Sequence, residues 1–118
     1  MPDRFEDARG VIQDILPGPL DQVTEIFTIA GAIRGNHIHE HTTQWAYVVS
    51  GRMLFAHIED DGVHEKTCAA GELVKESPGS PHAWKAVEDT VVLVFTRGPR
   101  SGENYESDTR RLEVPIYG

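Results

Sequence analysis

The chain has 118 residues, of which 39% are hydrophobic and 25% charged, a composition typical of a folded domain rather than a disordered one. Its formal net charge of −8 argues against nucleic acid or an anionic membrane as the main partner, because both require clustered lysine and arginine. The single cysteine, Cys68, excludes an internal disulfide and fits a reducing compartment. We expect one domain over residues 1–118, located in the cytoplasm, because MPDRFEDARG lacks an apolar signal region and no run approaches 18 apolar residues.

The first predicted elements are short and separated by turn residues. Asp7–Gly10 predicts a turn, and Val11–Leu16 a short strand or helical turn. The following Pro17–Pro19 interrupts regular structure. The stretch QVTEIFTIA, Gln22–Ala30, alternates apolar and polar residues and is rich in β-branched side chains, which predicts a strand.

The rest of the chain repeats this pattern of short strands and turns. No stretch shows sustained helical periodicity, so the sequence predicts an all-β sandwich or barrel. The polar, glycine-containing segment 98–111 is interpreted as a surface loop, a lid or a dimer contact. The predicted strands are Ile38–His41, Gln44–Val49, Met53–Ile58, Val63–Ala69, Leu73–Lys75, Ala83–Val87, Thr90–Thr96 and, at a sheet edge, Leu112–Tyr117.

Three histidines stand at alternate positions: His37, His39 and His41. Successive side chains of a strand point to opposite faces, so alternate histidines share a face wherever the strand continues. Neutral imidazoles on one face can bind a divalent ion at about 2.0–2.1 Å, as in zinc sites. The spacing therefore predicts a metal site on a strand, although an isolated pair of this kind is more often a polar surface feature.

The residues around the histidines resemble the two cupin motifs. Residues Gly31–Gly51 match G-x5-H-x-H-x4-E-x6-G, with Gln44 in place of the glutamate. Residues Gly71–Ala86 resemble G-x5-P-x-G-x2-H-x3-N through Gly79 and His82, with serine for the proline and alanine for the asparagine. This resemblance implies a cupin jelly-roll β-barrel, also described as a double-stranded β-helix.

The cupin resemblance also implies a ligand set. It assigns His37, His39 and His82 to one divalent transition metal, Fe, Mn, Ni, Cu or Zn, with Gln44 either as a fourth ligand or as a residue that orients a water or a histidine. A small oxygenated organic molecule would bind in the barrel, where dioxygenase, isomerase or lyase chemistry suits an open metal position. Two copies would form a homodimer, because open jelly rolls leave edge strands that can pair.

A second resemblance implies a different chemistry. Asp7–Gly10, the R-G-N-H-I-H segment from Arg34 and the later Gln44 are similar to sequences of sugar-nucleotide 3,4-ketoisomerases and 3,5-epimerases. In those enzymes histidines transfer protons next to a ketone without a metal, which suits an imidazole pKa near 6.5. His37 or His39 would then be the base, and Arg34 would bind the diphosphate.

A third interpretation is a non-catalytic domain that binds or senses a small ligand in the same barrel, because one fold supports many activities. The remaining histidines are expected to be peripheral. His41 is predicted to be exposed, and His57 and His64 to have surface or structural roles. Cys68 is predicted to be a buried apolar residue without a nucleophilic role.

Overall fold

The computed structural model describes residues 4–98 and 108–118 of the chain. These residues form eleven β-strands and no helix long and apolar enough to cross a membrane. The strands are β1 Arg4–Asp7, β2 Gly10–Gln13, β3 Gln22–Thr28, β4 Ile33–His39, β5 Thr43–Ser50, β6 Arg52–Glu59, β7 Gly62–Ala69, β8 Leu73–Glu76, β9 His82–Ala86, β10 Thr90–Arg97 and β11 Thr109–Arg111.

Two antiparallel sheets build the body of the molecule. One has the strand order β3-β10-β5-β8 and the other β11-β4-β9-β6-β7, while β1 and β2 form a separate hairpin. Apart from the β6–β7 hairpin, neighbouring strands in the two sheets are not consecutive in sequence, as in a jelly roll. The predicted all-β jelly roll is confirmed.

The core lies between the two sheets and follows from alternation along their strands. In β5 and β10 every second side chain is buried, which leaves the other face half-exposed. Cys68 is fully buried, as predicted, and burial raises the pKa of its thiol. The core residues are Ala46, Val48, Met53, Phe55, Cys68, Val74, Trp84, Val92 and Val94.

Two predicted strands are wrong. The strand predicted at Ile38–His41 begins five residues earlier, at Ile33, and ends at His39. The edge strand predicted at Leu112–Tyr117 is absent, and the strand at this edge is Thr109–Arg111. Most of the segment interpreted as a loop, lid or dimer contact, residues 99–107, lies outside the described residues.

Candidate functional site

Strand β4 contains a β-bulge at Asn36. Gly35 and His37 pair with consecutive residues of β9, so Asn36 is an additional residue without a partner there. Its φ of 57° lies in the left-handed region, which asparagine tolerates better than most residues. Its side chain holds the segment after β11, because the amide nitrogen donates to the carbonyl of Tyr117 (2.9 Å) and the amide oxygen accepts from the backbone nitrogen of Ile116 (2.8 Å).

The bulge decides which side chains share a face of the sheet. Arg34 pairs with Trp84, and His37 pairs with His82, two residues earlier on β9. Residues two apart on a strand point the same way, so Arg34 and His37 face the same side despite their odd spacing in sequence. By taking Asn36 out of the alternation, the bulge therefore keeps a cation on the face of the histidines.

Gly35 permits the close approach of β4 to β9. Its φ is +90°, and a Cβ added there would lie 3.1 Å from Ala83 Cα and 3.2 Å from the carbonyl oxygen of His82. A side chain at this position would be strained by the backbone angle and crowded by β9. Glycine thus fixes the distance between the two strands that carry the histidines.

Three of the predicted ligands form a compact cluster. The ring centres of His37 and His39 are 4.4 Å apart, those of His37 and His82 4.8 Å, and those of His39 and His82 5.3 Å. One ring nitrogen from each lies within 4.8 Å of the others. His39 and His82 are buried and His37 is half-buried, whereas His41 lies beyond the end of β4 and is exposed, as predicted.

Hydrogen bonding determines the tautomer of His82. Its Nδ1 lies 3.0 Å from the carbonyl oxygen of Ser80. A carbonyl can only accept, so Nδ1 donates, and the neutral ring carries its lone pair on Nε2. This Nε2 is buried and has no hydrogen-bond partner among the described residues. The lone pair of His82 is thus available on the side of the cluster.

Glu76 is the site residue that sequence analysis missed. It ends β8 directly opposite Gln44 of β5, and both side chains are buried. One carboxylate oxygen of Glu76 lies 3.5 Å from His82 Nε2. The only sequence signal was the alternation of β8, in which Val74 and Glu76 share a face.

Asp108 fastens the loop between β4 and β5. Its carboxylate accepts hydrogen bonds from the backbone nitrogens of His41 (2.7 Å) and Thr42 (3.1 Å). Burial alone would raise the pKa of Asp108, but these bonds and one from the Thr42 side chain lower it below the ordinary value of 3.8. This loop connects His39 to the strand of Gln44, so Asp108 helps to position both.

A cavity of about 420 Å³ opens beside the histidines. This volume lies within the range of small-molecule sites, roughly 300–1,000 Å³. The exposed Arg34 lies on its wall, held by a bond from Nε to the Thr28 hydroxyl (2.8 Å). The wall residues are Ile26, Ile33, Arg34, Gly35, Asn36, His37, Gln44, Glu76, Trp84, Val94, Thr109 and Arg111. The structure thus gathers all the predicted site residues in one region and adds a second arginine, Arg111.

A second group of histidine and carboxylate side chains, the hairpin cluster, lies where β6 turns into β7. It consists of Glu59, Asp61 and His64, with His57 alongside. His64 Nε2 is 2.6 Å from an Asp61 oxygen and 3.0 Å from a Glu59 oxygen. The bond from Asp61 raises the pKa of His64, and the pKa of Asp61 is lowered in turn. His57 and His64 therefore take part in surface ion pairs, as predicted.

The buried histidine cluster fits a divalent transition metal. Neutral imidazole nitrogens are preferred ligands of such ions, and here three converge from β4 and β9. A metal ligand must be a neutral imidazole with a free lone pair, and in the neutral form of His82 that lone pair is on Nε2 because Nδ1 donates to Ser80. The residues to hold a metal would be His37, His39 and His82, with Gln44 and Glu76 nearby.

Comparison with known proteins places this arrangement in a family. A family model described as a cupin domain matches residues 26–96. No curated protein is significantly similar to the chain in sequence. Solved structures at 16–22% identity share its fold, with TM-scores from 0.71 to 0.78.

Three of these structures indicate the range of relatives. The capsular polysaccharide assembling protein CapF from Staphylococcus aureus is 22% identical over 97% of the chain, with a TM-score of 0.71, and the chain spans about one third (33%) of its length. A mutant of the 3,4-ketoisomerase QdtA from Thermoanaerobacterium thermosaccharolyticum, in complex with TDP-4-keto-6-deoxyglucose, is 17% identical with a TM-score of 0.78, over 93% of this chain and 83% of that one. The 3'-monoepimerase ChmJ from Streptomyces bikiniensis, in complex with dTDP-quinovose, is 16% identical with a TM-score of 0.78, over 93% and 66%. Because the cupin model covers more than half of the 118 residues, the chain belongs to the cupin family.

Proposed function

We propose that the protein binds one divalent transition metal ion through His37, His39 and His82, and a small oxygenated organic anion in the adjacent cavity. The observation that carries the proposal is the convergence of three imidazole nitrogens within 4.8 Å. The buried Nε2 of His82 supports it, because this atom has no hydrogen-bond partner within residues 4–98 and 108–118 and a metal ion would compensate for its lost water.

The cavity wall supports an anionic ligand. Arg34 and Arg111 outnumber the one acidic wall residue, Glu76, in a protein whose formal charge is −8, so the local charge opposes the overall charge. A guanidinium can bind a carboxylate or phosphate through two parallel hydrogen bonds. Trp84 closes the cavity floor with an apolar ring and is only 5% exposed. These residues would orient the anion with its reactive oxygen toward the histidines.

A bound ion would supply Lewis acidity toward an oxygen of the ligand. Dioxygenase, isomerase and lyase reactions all use such polarisation, and the present residues do not choose among them. The contribution of the chain is to hold the imidazoles in place, to bind the anion through Arg34 and to exclude water through Trp84.

Elemental analysis tests the metal. The protein is purified without an affinity tag or added metal, beside His37→Ala and His39→Ala, with His64→Ala as the control for a histidine outside the cluster. We expect about one equivalent of Fe, Mn, Ni, Cu or Zn in the wild type and in His64→Ala, and none in the other two. Wild-type protein that is metal-free and takes up none of these ions contradicts the proposal.

A metal-free sugar-nucleotide isomerase or epimerase is the second candidate function. Two arginines beside His37 favour it, because a nucleotide diphosphate requires cationic partners. His37 or His39 would transfer the proton, and Arg34 would bind the diphosphate. Thermal-shift measurements with TDP-sugars test this: stabilisation that persists in chelator and disappears in Arg34→Ala supports it. The absence of any shift contradicts it.

The proposed assembly is a homodimer. The β1–β2 hairpin pairs with no other strand among the described residues. It exposes 58% of Phe5 and 66% of Ile12, and an isolated hairpin is at best marginally stable in water. A second copy would cover these side chains. Light scattering should give the mass of two chains for the wild type and of one chain for Phe5→Ser/Ile12→Ser, and a monomeric wild type contradicts the dimer.

A further inference from the structure

Glu76 lies inside the barrel, next to the proposed metal site. In β8 the side chains of Val74 and Glu76 are buried, whereas that of Lys75 is exposed and lies with its ammonium 6.0 Å from the centre of the Trp45 ring on the outer face. The exposed fraction of Glu76 is only 6%. The fold therefore holds the side chain of Glu76 in the interior of the barrel.

A buried carboxylate is costly unless a cation compensates it. An unpaired ion in a protein interior destabilises the fold strongly, because it loses its water and gains no partner. Within residues 4–98 and 108–118, no lysine or arginine lies within ion-pair distance of Glu76, and its only ionisable neighbour at that range is His82. The opposing Gln44 does not satisfy it either, since the Gln44 amide nitrogen has no hydrogen-bond partner among these residues.

His82 does not provide the missing positive charge in its neutral form. Its Nδ1 proton is donated to Ser80, so its Nε2 faces the Glu76 oxygen with a lone pair at 3.5 Å. Two acceptors at this distance attract each other only through a proton or a metal cation between them. The distance is longer than an ordinary N–H···O bond of about 2.7–3.2 Å. It is close to the roughly 3.4 Å that separates two ligand atoms, each about 2.1 Å from one tetrahedral ion. Glu76 lies outside the group of three ring nitrogens within 4.8 Å of one another, so its carboxylate would turn toward His37 and His39 to complete the site.

We infer that Glu76 is the anionic ligand of this site and takes over, from the opposite strand, the place of the glutamate that Gln44 replaces. The inference rests on the metal binding proposed above. Gln44 and Glu76 are direct partners in the β5–β8 ladder, so a carboxylate at either position can reach the same interior volume. Three neutral imidazoles and Glu76 would leave the ion with a net charge of +1, which favours binding over a wholly neutral ligand set.

Cobalt binding provides the test, because the visible spectrum of Co²⁺ reports its ligands without any assay of activity. Metal-free wild type, Glu76→Gln and the control Glu25→Gln are titrated with Co²⁺ against a chelator. Glu25 is exposed on β3, so its variant removes the same charge outside the site. We expect Glu76→Gln to lose at least about 10-fold in affinity and to shift the visible bands, with Glu25→Gln unchanged.

The double variant Gln44→Glu/Glu76→Gln returns the carboxylate to β5 and should regain affinity. It also tests the inference if Glu76→Gln alone fails to fold. Without metal, Glu76→Gln should melt at or above the wild-type temperature, because a buried charge has been removed. If wild type binds Co²⁺ and Glu76→Gln binds it equally well with the same spectrum, Glu76 is not a ligand and the proposed function stands. If the wild type binds neither Co²⁺ nor any of Fe, Mn, Ni, Cu and Zn, the proposed function falls and this inference with it.

Discussion

The two groups of histidines differ in what their ring nitrogens already contact. In the hairpin cluster, His64 Nε2 lies 2.6 Å from Asp61 and 3.0 Å from Glu59, in the range of charge-assisted hydrogen bonds. In the buried cluster, His82 Nε2 has no such bond, and its nearest carboxylate is 3.5 Å away. Residue types alone do not separate the two groups. The two groups differ in burial and in the available lone pair on His82 Nε2, and both properties support the interior cluster as the proposed metal site.

The largest difference should appear when one histidine is removed from each group. His39→Ala deletes a fully buried member of the interior cluster, and His64→Ala deletes the matching member at the hairpin. We expect His39→Ala to weaken metal binding by at least about 100-fold, beyond the 10–100-fold typical of outer-shell changes. Calorimetric titration of both variants measures this. Equal losses in the two would remove the distinction between the clusters.

Asp108→Ala should loosen the loop that joins the two strands of the interior cluster. The variant loses the hydrogen bonds that the carboxylate accepts from the backbone nitrogens of His41 and Thr42 and from the Thr42 side chain. A bond to a charged group contributes about 1.5–3 kcal/mol, but water can replace part of this at the exposed His41, so we expect the free energy of unfolding to fall by about 2–3 kcal/mol in total. Denaturant unfolding measures this change. Asp108→Asn keeps one acceptor oxygen and should lose less.

The low pKa of Asp108 also gives this contribution a pH dependence. The folded-state pKa lies below 3.8, so the stabilisation is complete above that pH and is lost as pH falls through the folded-state value. Unfolding curves of Asp108→Asn should therefore lack part of the wild-type decline below about pH 4. A decline of the same size in both proteins would show that Asp108 does not contribute to it.

Gly35→Ala should damage the interior cluster, whereas Gly62→Ala at the hairpin provides the matched control. Both glycines have positive φ, but a Cβ at Gly35 would crowd β9, and a Cβ at Gly62 would meet nothing within 4 Å. We expect a backbone cost of about 1–3 kcal/mol in each, and a further loss of metal affinity only in Gly35→Ala, because His82 is displaced. Thermal melts with and without metal separate the two effects. Unchanged metal affinity in Gly35→Ala would mean that β9 accommodates the added Cβ without displacing His82.

The smallest effect concerns proton binding at the hairpin. NMR titration should give His64 a pKa above 6.5, and Asp61→Asn should bring it back toward that value. Because the pKa of His64 is raised in the folded state, the protonated ring stabilises the fold below about pH 6.5. This stabilisation is lost as pH rises through the folded-state pKa of His64. Because the pKa of Asp61 is lowered in the folded state, its carboxylate stabilises the fold above about pH 3.8, and this stabilisation is lost as pH falls through the folded-state pKa of Asp61. A pKa of His64 that does not respond to Asp61→Asn would contradict the ion pair.

The sequence predicted strands well where alternation is simple. Gln44–Val49 and Thr90–Thr96 match β5 and β10 within one residue at each end, because every second side chain is buried and those in the middle of each strand are apolar. The prediction failed at β4, where Gly35 and Asn36 resemble a turn and the bulge interrupts the alternation. It also failed at Thr109–Arg111, a polar edge strand without any apolar pattern.

The candidate site was predictable only where motifs name its residues. His37, His39, Gln44 and His82 follow from spacing, and the structure brings their strands together. Glu76 could not be found in this way, since its relation to Gln44 depends on strand register across 31 intervening residues. Asp108 is similarly remote from the loop it holds.

The bulge at Asn36 has a consequence for comparing sequences in this family. Because the bulge takes Asn36 out of the alternation, a relative with the same number of residues in a regular strand would turn an arginine equivalent to Arg34 away from the histidines. A relative without the additional residue would keep that arginine two residues before the first histidine, and therefore on the same face. Two relatives could thus share every motif residue and still differ in whether the arginine faces a ligand. Spacing and bulge together, rather than residue identity, are the character by which such relatives should be grouped.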